Sequence, residues 1–454
     1  MGKGGRAISK LNRHTMLNRR QVLELLGIGV GAVVGQALLT GCAVDPVTGK
    51  QEIVLLSEAD EIALDRKQSP YQFSTDYGQV QDQRLNRYIN RVGLEIARRS
   101  HRPQMPYSFR AVNAAYINAY AFPGGSIAAT RGILVELESE AELAALLGHE
   151  IGHVNARHTA EQSTKGMLAN LLVAGATVAT SAAGYGNAAN LVQSLGGLSA
   201  GALLAHYSRD NEREADGLGM EYMTRAGYTP EGMVGLMEVL QKNGRKQPGA
   251  IELMFATHPM SRERLQFARQ QSQSTYARFL SGARNRERYM DQTANLRKIQ
   301  PAIRAIQQAG RALAQKQYQK ADSLLARALQ TAPDDYTALV MRAKCRIAMQ
   351  DTGQARRLAL KSIQVYPAEA QGHLVTAMAD FIDKKYGPAQ AQFNRYDTIL
   401  PGNPEITFFK GRCLEGMRRR NQAAQEYYRY LQQVRSGNNA RYAYNRLKTW
   451  GYIR

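Results

Sequence analysis

His149 and His153 stand four residues apart, with Glu150 directly after the first, inside Leu143-Ala144-Ala145-Leu146-Leu147-Gly148-His149-Glu150-Ile151-Gly152-His153. Residues four apart share one face of a helix, so the two imidazoles can hold one metal ion through ring nitrogens. Glu150 beside them suits a carboxylate that takes a proton from a metal-bound water and hands it to a leaving amine. The pattern works only on a helix, and the local sequence supplies one. Ser139 followed by Glu142 reads as a capping box, and Ala, Leu and Glu dominate the next two turns with no Pro among them.

A catalytic zinc takes three protein ligands and keeps one position open for water. His158 fails as the third, because the H-E-x-x-H-x-x-G-x-x-H pattern needs Gly where Ala156 stands and His where Thr159 stands. Downstream, in Tyr207-Ser208-Arg209-Asp210-Asn211-Glu212-Arg213-Glu214-Ala215-Asp216, Glu212 and Asp216 fall on one helix face and Glu214 roughly opposite. Glu212 is the expected ligand beside His149 and His153, for one Zn2+ per chain. Asp216, one turn on, is expected to accept the second ring N–H of a ligand histidine and hold its tautomer.

A chain of 454 residues, 44% of them hydrophobic, can bury the cores of two or three domains. Residues 1–41 differ from the rest. Lys3, Arg6, Lys10, Arg13, Arg19 and Arg20 precede or flank an apolar run from Val22 to Leu39, which ends in Leu39-Thr40-Gly41-Cys42. That order reads as an export signal. The small residues before Cys42 resemble a bacterial lipobox, which implies cleavage before Cys42 and lipid attachment to its thiol. Arg19-Arg20-Gln21-Val22-Leu23 also resembles, more weakly, a twin-arginine signal, and the run is almost long enough to be a single membrane span instead. Ala43 and Val44 leave no Asp directly after the cysteine, which favours a periplasmic protein anchored in the outer membrane. The net +21 of the chain less the +5 of the leader leaves +16, a charge that draws anionic lipid head groups or acidic partners. Nucleic acid is not an expected partner of an exported chain. Cys345 and Cys413 are two thiols in an oxidising compartment, and their number does not decide whether they pair.

Residues 45–50 are turn-rich, Ser57 to Arg66 and Leu85 to Arg99 carry apolar residues at helical spacing, and Tyr107 to Val112 alternates as a strand. Asn118 to Thr130 reads as a strand, a Pro123-Gly124-Gly125 turn and another strand. A strand edge beside the metal helix can hold an extended polypeptide by main-chain pairing, which makes Asn118 and Tyr120 substrate-strand candidates. Residues 166–205 contain no Asp, Glu, Lys or Arg, but Gly184-Tyr185-Gly186-Asn187 breaks the apolar run short of the roughly twenty residues a span needs. Two helices that pack on the metal helices or cover the cleft are expected there, with membrane contact as the alternative.

On His149 to His153, the Asn118 to Gly125 strand and turn, and Ser208-Arg209 with Glu212-Arg213-Glu214-Ala215-Asp216, the stretch from about Asp45 to Arg264 resembles a known family. It is the zinc metallopeptidases of the gluzincin type that include the CaaX prenyl endopeptidases and the bacterial protease HtpX. The resemblance implies an α+β zincin-like domain with a small β-sheet, zinc on His149, His153 and Glu212, and Glu150 as catalytic acid and base. A His-Pro segment recurs after the zinc helices of these peptidases, and Thr257-His258-Pro259 matches it. Pro259 keeps the preceding residue extended and ends any helix there, so His258 is expected on a loop that can reach the cleft. Two uses are open to it: a donor to the developing oxyanion, or a fourth ligand that displaces water and keeps the enzyme off until the loop moves. A protease regulated in a compartment without ATP gains from a self-blocked state, which favours the gate.

Pro333, Pro367 and Pro401 are spaced by 34 residues, as are Ala321, Ala355, Ala389 and Ala423, and Ala309, Ala343, Ala377 and Gly411. Small residues at helix crossings and Pro after the second helix, at this period, are the tetratricopeptide pattern. About four repeats fit between Ala302 and Arg435 and predict an all-α solenoid with a concave binding surface. A zinc peptidase with such a tail is similar to the BepA-type periplasmic proteases of outer-membrane biogenesis. The expected organisation is a signal peptide with lipobox at 1–41, an anchor linker at 42–56, a metallopeptidase domain at 57–285, a linker helix at 286–301 and a repeat domain at 302–454. The chain is mainly α, and each domain is expected to hold its own core. The expected function is zinc-dependent hydrolysis of misfolded or misassembled envelope proteins, a quality-control role in which the repeats recruit polypeptide clients or the envelope assembly machinery. The alternative is a repeat-based chaperone or assembly adaptor with little or gated proteolysis. An intact Glu150 favours the enzyme, since a structural metal site needs no general base.

Overall fold

The computed structural model describes residues 42–162 and 206–453, apart from the single positions 45, 48, 50, 54, 55, 247 and 261. The segment expected as an export leader, 1–41, and the apolar segment at 166–205 lie outside the described residues, among which no helix is long and apolar enough to cross a membrane. The segment expected as a linker pairs with itself, β1 (Cys42–Val44) running antiparallel to β2 (Gln51–Ile53).

Helix α1 (Glu58–Thr75) opens with a capping box between Ser57 and Asp60 and continues well past Arg66, where the apolar pattern gives out. The helix buries polar groups on both sides of Arg66. Glu61 is clamped by Arg102 Nη2 and Arg157 Nε, each at 2.7 Å, and Asp65 accepts the Ser126 N–H at 2.8 Å, while in the continuation Gln72 donates to Asp76 at 3.0 Å and Ser74 donates to Glu369. Helix α2 (Gln83–Ala97) is capped by Asp82. Strands β3 (Ser108–Val112), β4 (Ala119–Ala121) and β5 (Ser126–Thr130) form a sheet of order β3-β5-β4, with β3 parallel and β4 antiparallel to β5.

A short helix not foreseen, α3 (Arg131–Leu134), joins the sheet to α4 (Glu140–Asn155), which carries the two histidines and is buried along its whole length. The cap of α4 is half of the expected box. Ser139 accepts from Glu142 N, but the Glu142 carboxylate accepts from Glu138 N at 2.6 Å, one residue earlier than the reciprocal bond requires. Helices α5 (Arg209–Arg225) and α6 (Glu231–Lys246) pack on it, and α7 (Pro248–Thr257) and α8 (Arg262–Gln273) pack on α6. The expected linker helix is two short ones, α9 (Arg286–Gln292) and α10 (Ala294–Lys298), seated on the core by the fully buried Tyr289, whose hydroxyl donates to Leu134 O at 2.7 Å.

Four helix pairs follow: α11 (Gln300–Ala314) with α12 (Tyr318–Thr331), α13 (Tyr336–Ala348) with α14 (Thr352–Val365), α15 (Ala370–Ile382) with α16 (Tyr386–Ile399), and α17 (Pro404–Gly416) with α18 (Arg420–Gln433). A single helix, α19 (Asn438–Thr449), covers the end. The alanines at period 34 are sealed in the crossings, with Ala309, Ala343, Ala377, Ala321, Ala355, Ala389 and Ala423 all 0% exposed. The turn inside each pair is made by one left-handed residue at the same period, Lys316, Gln350, Lys384 and Arg418, with φ between 58° and 63°. None is Gly or Asn, so residue preference gave no signal there. Neighbouring pairs are tied by charges that exchange places. Arg346 meets Asp322 at 2.8 Å, whereas one period on Arg356 stands where Asp322 did and meets Asp380 at 2.8 Å. Opposite charges in equivalent places disfavour any slip of one repeat. Cys345 and Cys413 are both buried and free.

The expectation of separate cores fails at Ala302. One buried apolar cluster runs from Val80 through α4 and on to Ala302, Ile306, Leu325 and Cys345, and the second begins on the opposite face of α13 at Tyr336 and Val340. Polar contacts cross the same seam. Gln307 donates to Ala115 O at 2.8 Å, Thr337 to Asn113 O at 2.9 Å, and Arg131 pairs with Asp335 at 2.6 Å with both side chains buried. The first repeat thus completes the peptidase core, and a boundary drawn from the repeat period is not a boundary of packing. Arg131→Ala leaves Asp335 buried without its cation and is expected to cost about 3–5 kcal/mol in chemical denaturation. A chain ended at residue 301 is expected to be cut by a broad protease at sites inside 80–160 that resist in the full chain.

Candidate metal centre

Helices α4 and α5 touch through their backbones. A Cβ on Gly152 would lie 2.9 Å from Ala215 O, one on Gly148 2.9 Å from Gly219 O, and one on Gly219 2.8 Å from His149 N. No side chain fits in that crossing, so Glu212 and Asp216 are carried against His149 and His153. His153 Nε2 lies 3.1 Å from His149 Nε2 and 3.3 Å from Glu212 Oε1, and His149 Nε2 lies 3.6 Å from Glu212 Oε2. His258 joins them, its Nδ1 2.9 Å from Glu212 Oε1 and 3.4 Å from His149 Nε2. One ligand atom from each of the four lies within 4.8 Å of all the others, and all four residues are buried.

His258 does not sit on an open loop. Its N–H bonds to Met254 O at 2.6 Å, so it ends the last turn of α7, and Pro259 stops the helix behind it. Glu150, on the same turn of α4 as His149, is 0% exposed and neither carboxylate oxygen has a hydrogen-bond partner, His258 Nε2 being 3.9 Å away. A buried carboxylate left unpaired is costly unless a water belongs beside it. Imidazole nitrogens and a carboxylate converging on one point, next to such a base, fit a zinc ion and its water.

The electrostatics agree. Burial would raise Glu212, but His258, His149 and Arg264 outweigh it and hold its carboxyl well below the usual range. Burial lifts Glu150 above the ordinary carboxylate value, against the pull of His258 and His149. Burial drives His153 well below the ordinary imidazole value, which keeps it neutral and able to bind metal.

Around the four lies a shell that the spacing only partly revealed. Asp216 Oδ1 is 2.9 Å from His149 Nδ1, and Asp216 is itself gripped by Arg264 through Nε and Nη2, both at 2.7 Å. Arg264 Nη1 also reaches Glu212 Oε2 at 2.5 Å. Nothing in the sequence sets Arg264 apart from the nearby Arg262. Tyr207, one residue before the cap of α5, stacks on His153 with ring centroids 3.7 Å apart and planes 17° apart. His158 Nδ1 lies 2.9 Å from His153 Nδ1, and Glu214, expected to point away, has Oε2 3.2 Å from His158 Nε2.

The substrate-strand candidates lie on or beside β4, at the sheet edge. Tyr120 gives its ring to the core and its hydroxyl to Asp76 at 2.5 Å, so only its main chain is left for pairing outward. Asn118 is 0% exposed, with both amide atoms lacking a hydrogen-bond partner. Cys42 lies on β1, remote in sequence from these groups. Gly152→Ala must part α4 from α5, and Glu212→Ala removes a donor. Both are expected to lower zinc content from one per chain toward none in metal analysis, with Gly152→Ala retaining helical circular dichroism.

Comparison with known proteins places this geometry. The model of peptidase family M48 matches residues 83–272, and that of the tetratricopeptide repeat matches 312–379. The beta-barrel assembly-enhancing protease of Yersinia pestis is 32% identical over 194 residues, 42% of this chain and 39% of that protein, so the match spans about two fifths of the relative's length. The mitochondrial metalloendopeptidase OMA1 of Arabidopsis thaliana is 28% identical over 216 residues, 48% of this chain and 41% of that protein. Metalloprotease YcaL of Escherichia coli is 30% identical over 257 residues, covering 54% of this chain and 95% of its own length. A match over nearly the whole of that metalloprotease, with the family's own model laid across α2 to α8 and the donor cluster inside it, means that the chain belongs to peptidase family M48.

Proposed function

We propose that this protein is a zinc-dependent endopeptidase of the bacterial cell envelope that hydrolyses misfolded or misassembled envelope proteins. The observation that carries the reading is Glu150, a buried carboxylate with no hydrogen-bond partner on either oxygen, set against the four converging residues His149, His153, Glu212 and His258. A zinc ion on His149, His153 and Glu212 would supply a polarised water and a Lewis-acid contact for the scissile carbonyl. Glu150, its carboxyl raised by burial, accepts the water's proton and delivers it to the departing amine. An extended substrate would pair with the outer side of β4, the strand at the end of the sheet.

The name of one relative, a beta-barrel assembly-enhancing protease, supports an envelope role, and that of another, a metalloprotease, supports proteolysis. So does a tail of helical repeats of the kind that holds polypeptides on a concave face. Lipid attachment at Cys42 would anchor the enzyme to the outer membrane from the periplasmic side, with the repeats receiving clients or the assembly machinery. His258 supports a gated enzyme: standing 2.9 Å from Glu212 and 3.4 Å from His149, it has the position of a fourth donor that closes the site to water.

Glu150→Gln is expected to keep about one zinc per chain while abolishing hydrolysis of an unstructured peptide, and to retain substrates on purification from the envelope. Undiminished hydrolysis by this variant would remove the proposed base. His258→Ala is expected to raise proteolysis or self-cleavage with zinc still bound. Loss of an oxyanion donor would instead lower turnover about a hundredfold, and an unchanged rate would deny His258 either use.

A further inference from the structure

His153 and His149 are supported unequally. Each turns Nε2 toward the donor cluster, as the 3.1 Å separation of those atoms records, so each ligand nitrogen carries its lone pair there and its hydrogen on Nδ1. For His149 that hydrogen faces a carboxylate, Asp216, at 2.9 Å. For His153 it faces another imidazole, His158, whose Nδ1 is also 2.9 Å away. Two facing nitrogens need one donor and one acceptor, so His158 must accept on Nδ1 and carry its own hydrogen on Nε2. That hydrogen in turn meets Glu214 Oε2 at 3.2 Å. His158 is 3% exposed, and Tyr207 stacks on the His153 ring while meeting the His158 ring tilted at a centroid distance of 6.1 Å.

The backbone has been bent to bring this about. On a continuing helix, residues five apart project roughly 140° from each other, so His158 would look away from His153. Arg157 ends α4 in the left-handed region at φ 55°, which turns the chain back on itself. A non-glycine residue held there stores strain that the surroundings must impose. Here Glu61 imposes it, bonding Arg157 Nε at 2.7 Å from within the core.

We propose that His158 is a positioning residue of the metal site, accepting the Nδ1 hydrogen of His153 and so fixing that ligand's tautomer and ring plane, with Glu214 fixing His158 in turn. The inference rests on the zinc-peptidase reading and adds a residue that touches neither metal nor substrate. Partners of this kind are typically worth about 10- to 100-fold in metal affinity.

The test is competition for zinc between the full chain and a chromophoric chelator, with thermal unfolding of the metal-free proteins as control. His158→Ala is expected to weaken zinc binding by about 10- to 100-fold while the metal-free midpoint stays at the parent value. His158→Asn, whose side-chain oxygen can stand where Nδ1 stood, is expected to recover most of the loss, and Glu214→Ala to lose less than His158→Ala. Parent affinity in His158→Ala overturns the proposal, as does an Asn variant as weak as the Ala one, which would make the ring's packing the whole effect. If His158→Ala does not fold, His158→Leu fills the volume without an acceptor and is compared with Asn in its place. A parent chain that binds no zinc overturns the metal reading itself, so the two failures are distinguishable.

Discussion

Everything at the candidate centre depends on two helices meeting without side chains between them. Gly148 and Gly152 on α4 lie against Ala215 and Gly219 on α5, at distances where an added methyl group would stand under 3.0 Å from a backbone atom of the other helix. Helices that meet through larger side chains keep their axes some 8–10 Å apart, too far for a carboxylate of one to share an ion held tightly by two histidines of the other. The small residues repeat every four, as the ligands do, so one turn of the crossing sets both contact and chemistry. Glu212 is four residues before Asp216, and each faces the histidine on its own level of α4.

That arrangement buries many charged groups close together. Arg264 resolves the conflict by bonding both Asp216 oxygens and reaching Glu212, so that two carboxylates a turn apart share one cation. The guanidinium suits this because its planar fork matches the carboxylate and stays charged when buried. Glu150 makes no hydrogen bond to the protein on either oxygen, which leaves all of its lone pairs open to a water.

The repeats enter the same structure. Because α11 and one face of α13 pack in the core of the metal-bearing part, and Arg131 is buried against Asp335, the tail is seated rather than tethered. Repeats held in this way keep a fixed orientation to the metal-bearing part. Inter-domain motion is the usual default where interfaces are small and polar, and a shared apolar core removes it.

Much was legible from order alone, because the signals were local. The H-E-x-x-H spacing, the Glu212 to Asp216 turn and the 34-residue period each depend on which residues share a helix face, and helix geometry is the same wherever the helix is placed. The continuation of α1 past Arg66 was not legible, since its buried residues are largely polar and its partners, among them Glu369 for Ser74 and Pro401 O for Tyr71, come from elsewhere in the chain. Nor were the roles of Arg264, Tyr207 and His158, each an ordinary residue by spacing. His158 was set aside as a ligand because it fails the H-E-x-x-H-x-x-G-x-x-H spacing, yet past a left-handed turn at Arg157 it stands beside His153. The order of residues determined which groups could bind a metal and which helices would stack. Only the tertiary structure decided which groups support those ligands and where one core ends, because burial and partnership are made between segments far apart in the chain, and a periodic pattern carries no information about what lies across the gap.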